Sequence, residues 1–508
     1  KFYEGKKKRK NKESRLYYLN HKNLIGEIEN YGYVFKFKKL VITYLCVLAG
    51  CILAGWLYKL PLYGYAVIIV FALLQTPFLI RNYYKSLYEQ RRFSDASKYV
   101  ERMLYYFKAK RKIPDALIDA EKVFPDGHMK DCIHNAVKHI QDTIDENAVK
   151  DALRIIEQEY SCRRIKRLHI FMLQIEKDGG DMNLGIETLL RDRQIWTDTK
   201  VLFQKQKRNV KIMGMISIAL SFAMCLITLY IPALFNIDML DISTNNLVQI
   251  SAVIMILYFL RAYSKLDKKL CINWLDEKEA EADKIKKIYQ TYITYDVRRQ
   301  GRKFFVYSAV LVAAGLSLSV ILHTPATLII CGIAALLIVN YPSLNYKVMG
   351  KYLKKEIKNE FPTWVVQVSL QMQNNNVVMS IARTLETAPA VLQPAIEKFI
   401  EQTEAAPEDV APFNDFLSEF NLNEISEIMS TLYSISSGTG ADMQTEFKEI
   451  LKRNNDMLEK AENRKNDDKI VVMKNMSVSK PAIAAGFKLL VDMTVMMISF
   501  FAKSMEMF

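Results

Sequence analysis

The chain has 508 residues, room for two or three domains, and half of them are hydrophobic although the formal charge is +15. That pairing excludes both a purely water-soluble globule and a bare bundle of membrane spans, because neither solvent suits the whole chain. Seven cysteines (46, 51, 132, 162, 225, 271 and 331) include no CxxC pair and are read as reduced, which excludes a disulfide-stapled scaffold. The six histidines lack metal-ligand spacing: His134 and His139, five apart, fall on different faces of a helix.

A basic leader comes first. Residues 1–39 carry 12 Lys/Arg against 4 Glu and show no apolar run followed by a small-residue cleavage site, so no secretory signal is expected. The KKKRK run within it reads as a topology determinant and anionic-lipid contact rather than a nucleic-acid patch. Two apolar runs follow, Leu40–Tyr58 and Tyr65–Ile80, joined by only six residues, and they form a helical hairpin. Further spans are expected at Val210–Phe235, Leu247–Leu260, Phe304–Leu322, Ala326–Val339 and Ala482–Ala502, making seven. The basic stretches Arg81–Arg92 and KQKRNVK abut spans and belong in the cytoplasm, whereas Asn236–Asn246 and the HTPA turn carry no Lys or Arg and belong outside. The N-terminus is thus expected in the cytoplasm and the C-terminus outside a prokaryotic cytoplasmic membrane.

The two long polar regions have charged and apolar residues interleaved at helical spacing, with no strand-like alternation. The expected fold is all-α: a polytopic membrane protein with about seven transmembrane helices and two repeated cytoplasmic helical bundles. Its divisions are a leader (1–39), a transmembrane hairpin (40–80), bundle 1 (81–210), a transmembrane pair (211–262), a helical linker (263–303), a second pair (304–342), bundle 2 (343–480) and a final span (481–503). Each bundle holds a helix break near its end. Gly179 and Gly180 in one, and Gly438 and Gly440 in the other, can close a helix in the left-handed region, while Asp181 or Asp442 accepts from the amides that open the next helix. Neither break has a P-loop's Lys-Ser/Thr or a preceding strand, so a hairpin corner is the reading and a phosphate cradle is not.

Two charge features stand out. Between Ile381 and Ser430 lie ten acidic side chains and two basic ones, including Glu401, Glu404, Glu408 and Asp409. This stretch is either a steering surface for a basic partner or a solvated helix face. The last span contains Lys488 and Asp492, four residues apart on one helix face. Three readings stay open for them: a proton relay, Lys488 snorkelling to the interface beside Asp492, and pairing to another span or to a membrane-embedded partner.

In this order of spans, bundles and glycine corners the chain resembles the polytopic platform proteins of type II secretion, type IV pili and tight-adherence pili, with their archaeal flagellar relatives. Members carry a corner of the form G-G-x-hydrophobic-x-x-x-hydrophobic. Here it corresponds to Gly179, Gly180, Met182 and Ile186, then to Gly440, Met443 and Phe447, as though two subunits were joined end to end. The resemblance covers residues 95–235 and 355–503. It implies a non-catalytic, homo-oligomeric platform in contact with membrane lipids, a hexameric secretion-type ATPase and pilin or pseudopilin subunits, without nucleic acid. No cofactor or metal is expected: the chain has no Walker loop, no G-x-S-x-G elbow and no metal cluster. A secondary transporter with large helical domains is the alternative, because an internal duplication and an intramembrane Asp occur in carriers.

Overall fold

The computed structural model describes residues 15–143, 145, 147–179, 182–234, 241–271, 275, 282–322, 325–407, 409–438 and 443–506, and among these there is helix but no strand. The KKKRK run, the first five residues of the Asn236–Asn246 loop and half of the HTPA turn lie outside them. The helices in chain order are α1 His21–Asn30, α2 Phe37–Leu57, α3 Leu62–Lys110, α4 Ile113–Val123, α5 His128–Asp142, α6 Ala148–Glu159, α7 Arg163–Asp178, α8 Met182–Leu234 and α9 Asn246–Leu270. They continue as α10 Ala282–Thr294, α11 Val297–Leu322, α12 Pro325–Gln371, α13 Val377–Arg383, α14 Gln393–Ala405, α15 Ala411–Asp415, α16 Asn423–Ser437 and α17 Met443–Glu506. Their starts follow local chemistry. Asn20, Asn245 and Asn376 accept from backbone amides opening α1, α9 and α13, and Pro114, Pro394 and Pro412 occupy first turns, where a missing N–H costs nothing.

Six helical stretches are long and apolar enough to cross a membrane: Phe37–Leu57, Leu62–Lys110, Met182–Tyr230, Asn246–Leu270, Ile329–Gln371 and Thr445–Ala502. They overlap six of the seven expected runs. The remaining run, Phe304–Leu322, falls within α11, which lies along α12 so closely that a Cβ added at Gly315 would sit 2.6 Å from the Cys331 Cβ.

The chain forms two compact units. The first comprises residues up to 98, 198–276 and 466 onward, and holds α2, α9 and the apolar lengths of α3, α8 and α17. Its core joins Cys51 and Tyr58 of the first span region to Ile68 and Ala72 of α3, Cys225 and Leu229 of α8, Ala252 and Ile256 of α9, and Ala485 and Val495 of α17. Most outward side chains on these helices are large and apolar, including Leu45, Ile52, Trp56, Leu220, Leu490 and Met497, as lipid-facing surfaces require. Tyr58 Oη donates to the Phe222 carbonyl at 2.8 Å and Tyr230 Oη to the Leu57 carbonyl at 2.9 Å, tying α8 to the end of α2. At the same end Lys59 Nζ donates to Ser243 Oγ at 3.0 Å, so the hairpin turn and the loop before α9 meet.

The leader holds more order than its charge implies. Leu24 and Ile28 of α1 bury with Phe35, Leu40 and Ile80, and Glu27 accepts from Tyr31 Oη at 2.6 Å and from Arg81 Nε at 2.9 Å. Only three apolar positions per two turns mark such a short amphipathic helix, and the surrounding lysines hide them.

The second unit comprises 99–197 and 277–465. In its N-terminal part, Tyr99, Met103 and Phe107 of α3 are buried, as are Leu117 of α4, Ile133 of α5, Ile156 of α6 and Leu168 of α7. In its C-terminal part the core runs through Phe361 and Trp364 of α12, Ile381, Ile396, Phe399, Phe416, Phe420 and Ile428. Trp364 stacks on Phe416 with ring centroids 5.3 Å apart and donates Nε1–H to Thr384 Oγ1 at 2.8 Å, satisfying its buried polar atom. The α10 linker packs here as well: Tyr292 stacks on Tyr346 at 4.7 Å and Tyr289 Oη donates to Glu419 at 2.8 Å. The same order occurs twice, a long helix (α3, α12), four helices (α4–α7, α13–α16), a glycine break, and a second long helix (α8, α17).

Candidate functional site

The two breaks close their helices as glycine permits. Gly179 has φ 73° and its N–H donates to the Ile175 carbonyl at 3.0 Å; Gly438 has φ 67° and its N–H donates to Ile435 at 3.4 Å. An L side chain at either would strain the backbone. Gly180, Asp181, Gly440 and Asp442 lie outside the described residues, so the expected aspartate caps do too. Three residues past the first break, a Cβ added at Gly185 would sit 2.4 Å from the Phe171 ring, so α8 turns back tightly against α7. Asn374, in the turn between α12 and α13, donates Nδ2–H to the Gly179 carbonyl at 3.1 Å, so the first corner abuts the second helical set.

A charged joint that the sequence does not announce connects the two sets within the second unit. Arg164 of α7 donates to Asp192 of α8 at 3.1 Å and to Glu462 of α17 at 3.0 Å, and its guanidinium lies over the Trp196 ring at 4.9 Å. Arg167, one turn on, reaches Asp192 at 3.3 Å. All four charged residues are buried. At the rim, Glu360 of α12 takes Arg163 at 3.2 Å and Lys465 at 2.8 Å. The RRIKR run opening α7 and the RDR of α8 supply the charges in plain view, but Glu462 is 298 residues from Arg164 and no local pattern pairs them. A planar fork between two carboxylates holds helices in one register.

Beside this joint a buried histidine sets a pH limit. His169 is fully buried, its Nδ1–H donating to Glu157 at 2.8 Å and its Nε2 facing Tyr99 Oη at 2.9 Å. The Glu157 contact fixes the Nδ1–H tautomer, so Tyr99 donates to Nε2. Burial lowers the imidazole's pKa below its usual value, with Glu157 opposing. Unfolding releases a histidine that protonates more readily than the folded one. Its contribution is therefore complete above about pH 6.5 and is lost as the pH falls from there towards the folded value, by about 1.4 kcal/mol per pH unit of that interval. Thermal unfolding should shift down between pH 7 and 5, and His169→Gln should flatten that slope. Equal slopes in the two proteins would contradict this account.

The acidic stretch is exposed. Glu401, Glu404 and Asp409 face solvent around the end of α14, and Glu408 lies outside the described residues. Asp409 Oδ1 accepts from the Ala411 amide at 3.0 Å, while Glu401 and Glu404 have no cationic partner among the described residues. Elsewhere on this face Glu427 is held by Arg453 at 2.8 Å and Glu419 by Tyr289.

In the first unit Lys488 and Asp492 are both fully buried. Snorkelling is not what the structure has. Lys488 Nζ donates to Asp492 Oδ1, and Thr228 Oγ1 of α8 donates to Asp492 Oδ2 at 3.0 Å, so the pair is closed within the helix bundle by another span. The buried Cys225 thiol, 3.7 Å from the Ala485 carbonyl, lies on the same face of α8.

All seven cysteines are free, and among the described residues no three His, Cys, Asp or Glu side chains gather as a metal site. The geometry thus defines a helical membrane protein with two buried charge networks, one amid its spans and one between its polar helices. No family model, curated protein or solved structure matches the chain.

Proposed function

We propose that this protein is a non-catalytic platform in a prokaryotic cytoplasmic membrane, coupling a cytoplasmic hexameric ATPase to pilin extraction and assembly in a type IV pilus-like or type II secretion-like machine. The observation that carries the reading is the twice-used order of elements: each polar helical set ends at a left-handed glycine and passes into a long helix, α8 or α17, that becomes a span. A continuous helix shared by a polar bundle and the bilayer is what a device needs if it turns an ATPase's movement into displacement of a membrane-held subunit. In this reading α11 is the seventh span, the two polar sets are a repeat, and both lie in the cytoplasm. The charge placement supports that topology. Lys205, Lys211, Lys265, Lys269 and Lys480 sit where α8, α9 and α17 leave their apolar lengths, and the loops that meet at Lys59 and Ser243 are poor in positive charge.

Glu401, Glu404, Glu408 and Asp409 are the proposed ATPase contact. Reversing all four charges should lower the association rate with the partner ATPase about tenfold or more at low salt and much less at high salt, as steering by exposed charge requires. Unchanged association removes the patch, and failure of any secretion-type ATPase to bind removes the platform. The buried Lys488–Asp492–Thr228 set favours one rival, an ion-coupled carrier, and saturable solute uptake by vesicles containing only this protein would establish it.

A further inference from the structure

Where α3, α8 and α9 leave their apolar lengths, the first unit has an open cavity of about 500 Å³. Its walls carry Lys205, Lys207, Arg208 and Lys211 from α8, and a single carboxylate, Asp267 of α9, which Lys211 holds at 3.6 Å. Lys205 and Arg208 are exposed and contact no acidic group among the described residues, so the cavity keeps an excess of positive charge. Tyr83 supplies apolar wall towards the apolar length of α3, and Leu87 and Val201 supply it further from the apolar lengths. The level is fixed by the chain itself. Three residues after Lys211, Gly214 lies against Leu266 and Ser477, and the apolar stretches of α8 and α9 lie on one side of that crossing and their basic ends on the other.

From this placement we infer that the cavity is a binding site for the phosphate of an anionic phospholipid head group, with the glycerol and acyl chains leading past Tyr83 towards the apolar lengths of α3 and α8. A soluble anion would gain nothing from cations placed within two turns of the apolar length of α8, and a neutral lipid would leave those cations unmatched. A negatively charged lipid matches the level and the charge together. Each Lys or Arg near an anionic lipid surface contributes about 1 kcal/mol, and cations converging on one phosphate keep more of that than scattered ones do. The site would couple the angle between α8 and its neighbours to the lipid around them. The inference needs the chain to sit in a bilayer but does not depend on the platform reading.

The test uses the full chain, delipidated in detergent, titrated with dioleoylphosphatidylglycerol or dioleoylphosphatidylcholine and read by native mass spectrometry. The anionic lipid should bind at least about tenfold more tightly. The double variant Lys205→Ala/Arg208→Ala, both exposed on a helix surface, should lose about thirtyfold of that affinity, the equivalent of two such contacts. The control Lys284→Ala/Lys287→Ala on α10 should lose none. Equal affinity for the two lipids, or equal losses in the two double variants, would overturn the assignment. Displacement of the anionic lipid by millimolar inorganic phosphate, but not by chloride at equal ionic strength, would also overturn it, because the site would then belong to a soluble ion.

Discussion

Replacing Lys488 with leucine is expected to destabilise the folded protein by about 3–5 kcal/mol, and Asp492→Leu by a similar amount, while the double replacement should return to within about 1–2 kcal/mol of the parent. The pair is completely buried and is closed by Thr228, so no route to water lets either charge survive alone. In the Lys488→Leu protein, Asp492 keeps only the Thr228 hydroxyl, and a carboxylate amid apolar spans with one donor is poorly solvated. Removing both leaves two leucines facing Cys225, Ala485 and the rest of an apolar core that can accept them. Unfolding in detergent measures the stabilities, and activity in cells separates the roles. A stable double variant that no longer supports its machine would place the pair in function. If the single variants are as stable as the double one, the charges are not coupled.

The second large effect belongs to Arg164. Its side chain sits between Asp192 and Glu462, over Trp196, and Arg164→Met would take from these two buried carboxylates the guanidinium they share. The expected loss is again about 3–5 kcal/mol, the cost of breaking a buried pair from one side. Glu462→Gln should cost much less, since Arg164 keeps Asp192 and the amide oxygen can still accept. The split between the two variants is the diagnostic. Equal losses would mean that the α7–α17 contact, rather than the α7–α8 one, carries the joint. Because Arg164 and Glu462 belong to different helical sets, Arg164→Met should also raise hydrogen exchange in α7 and in α17 near residue 462 together, whereas a purely local role would affect α7 alone.

Much of the architecture was written in local pattern. The six apolar helices, the proline-led starts of α4 and α14, and the left-handed Gly179 and Gly438 follow from run length, ring constraint and the missing Cβ, which are properties of a few adjacent residues. The short helix α1 escaped that reading because its apolar face needs Phe35, Leu40 and Ile80 to be recognised as a face at all. The lysine and aspartate of the last span were visible by spacing, but their fate was not. Whether Lys488 reaches water depends on Thr228 and Cys225, some 260 residues earlier in the chain.

The sequence by itself determined where proline opens and glycine closes particular helices, which runs suit a bilayer, and which ends of the spans carry positive charge, because each is a property of neighbouring residues. Only the tertiary structure decided which charges are paired. Arg164 finds Glu462, Lys211 finds Asp267 and Asp492 finds Thr228 across gaps of chain that leave no periodic trace. The physical reason is that burial converts a nearly neutral surface charge into one that must be matched, and burial is a property of packed helices rather than of any segment of sequence.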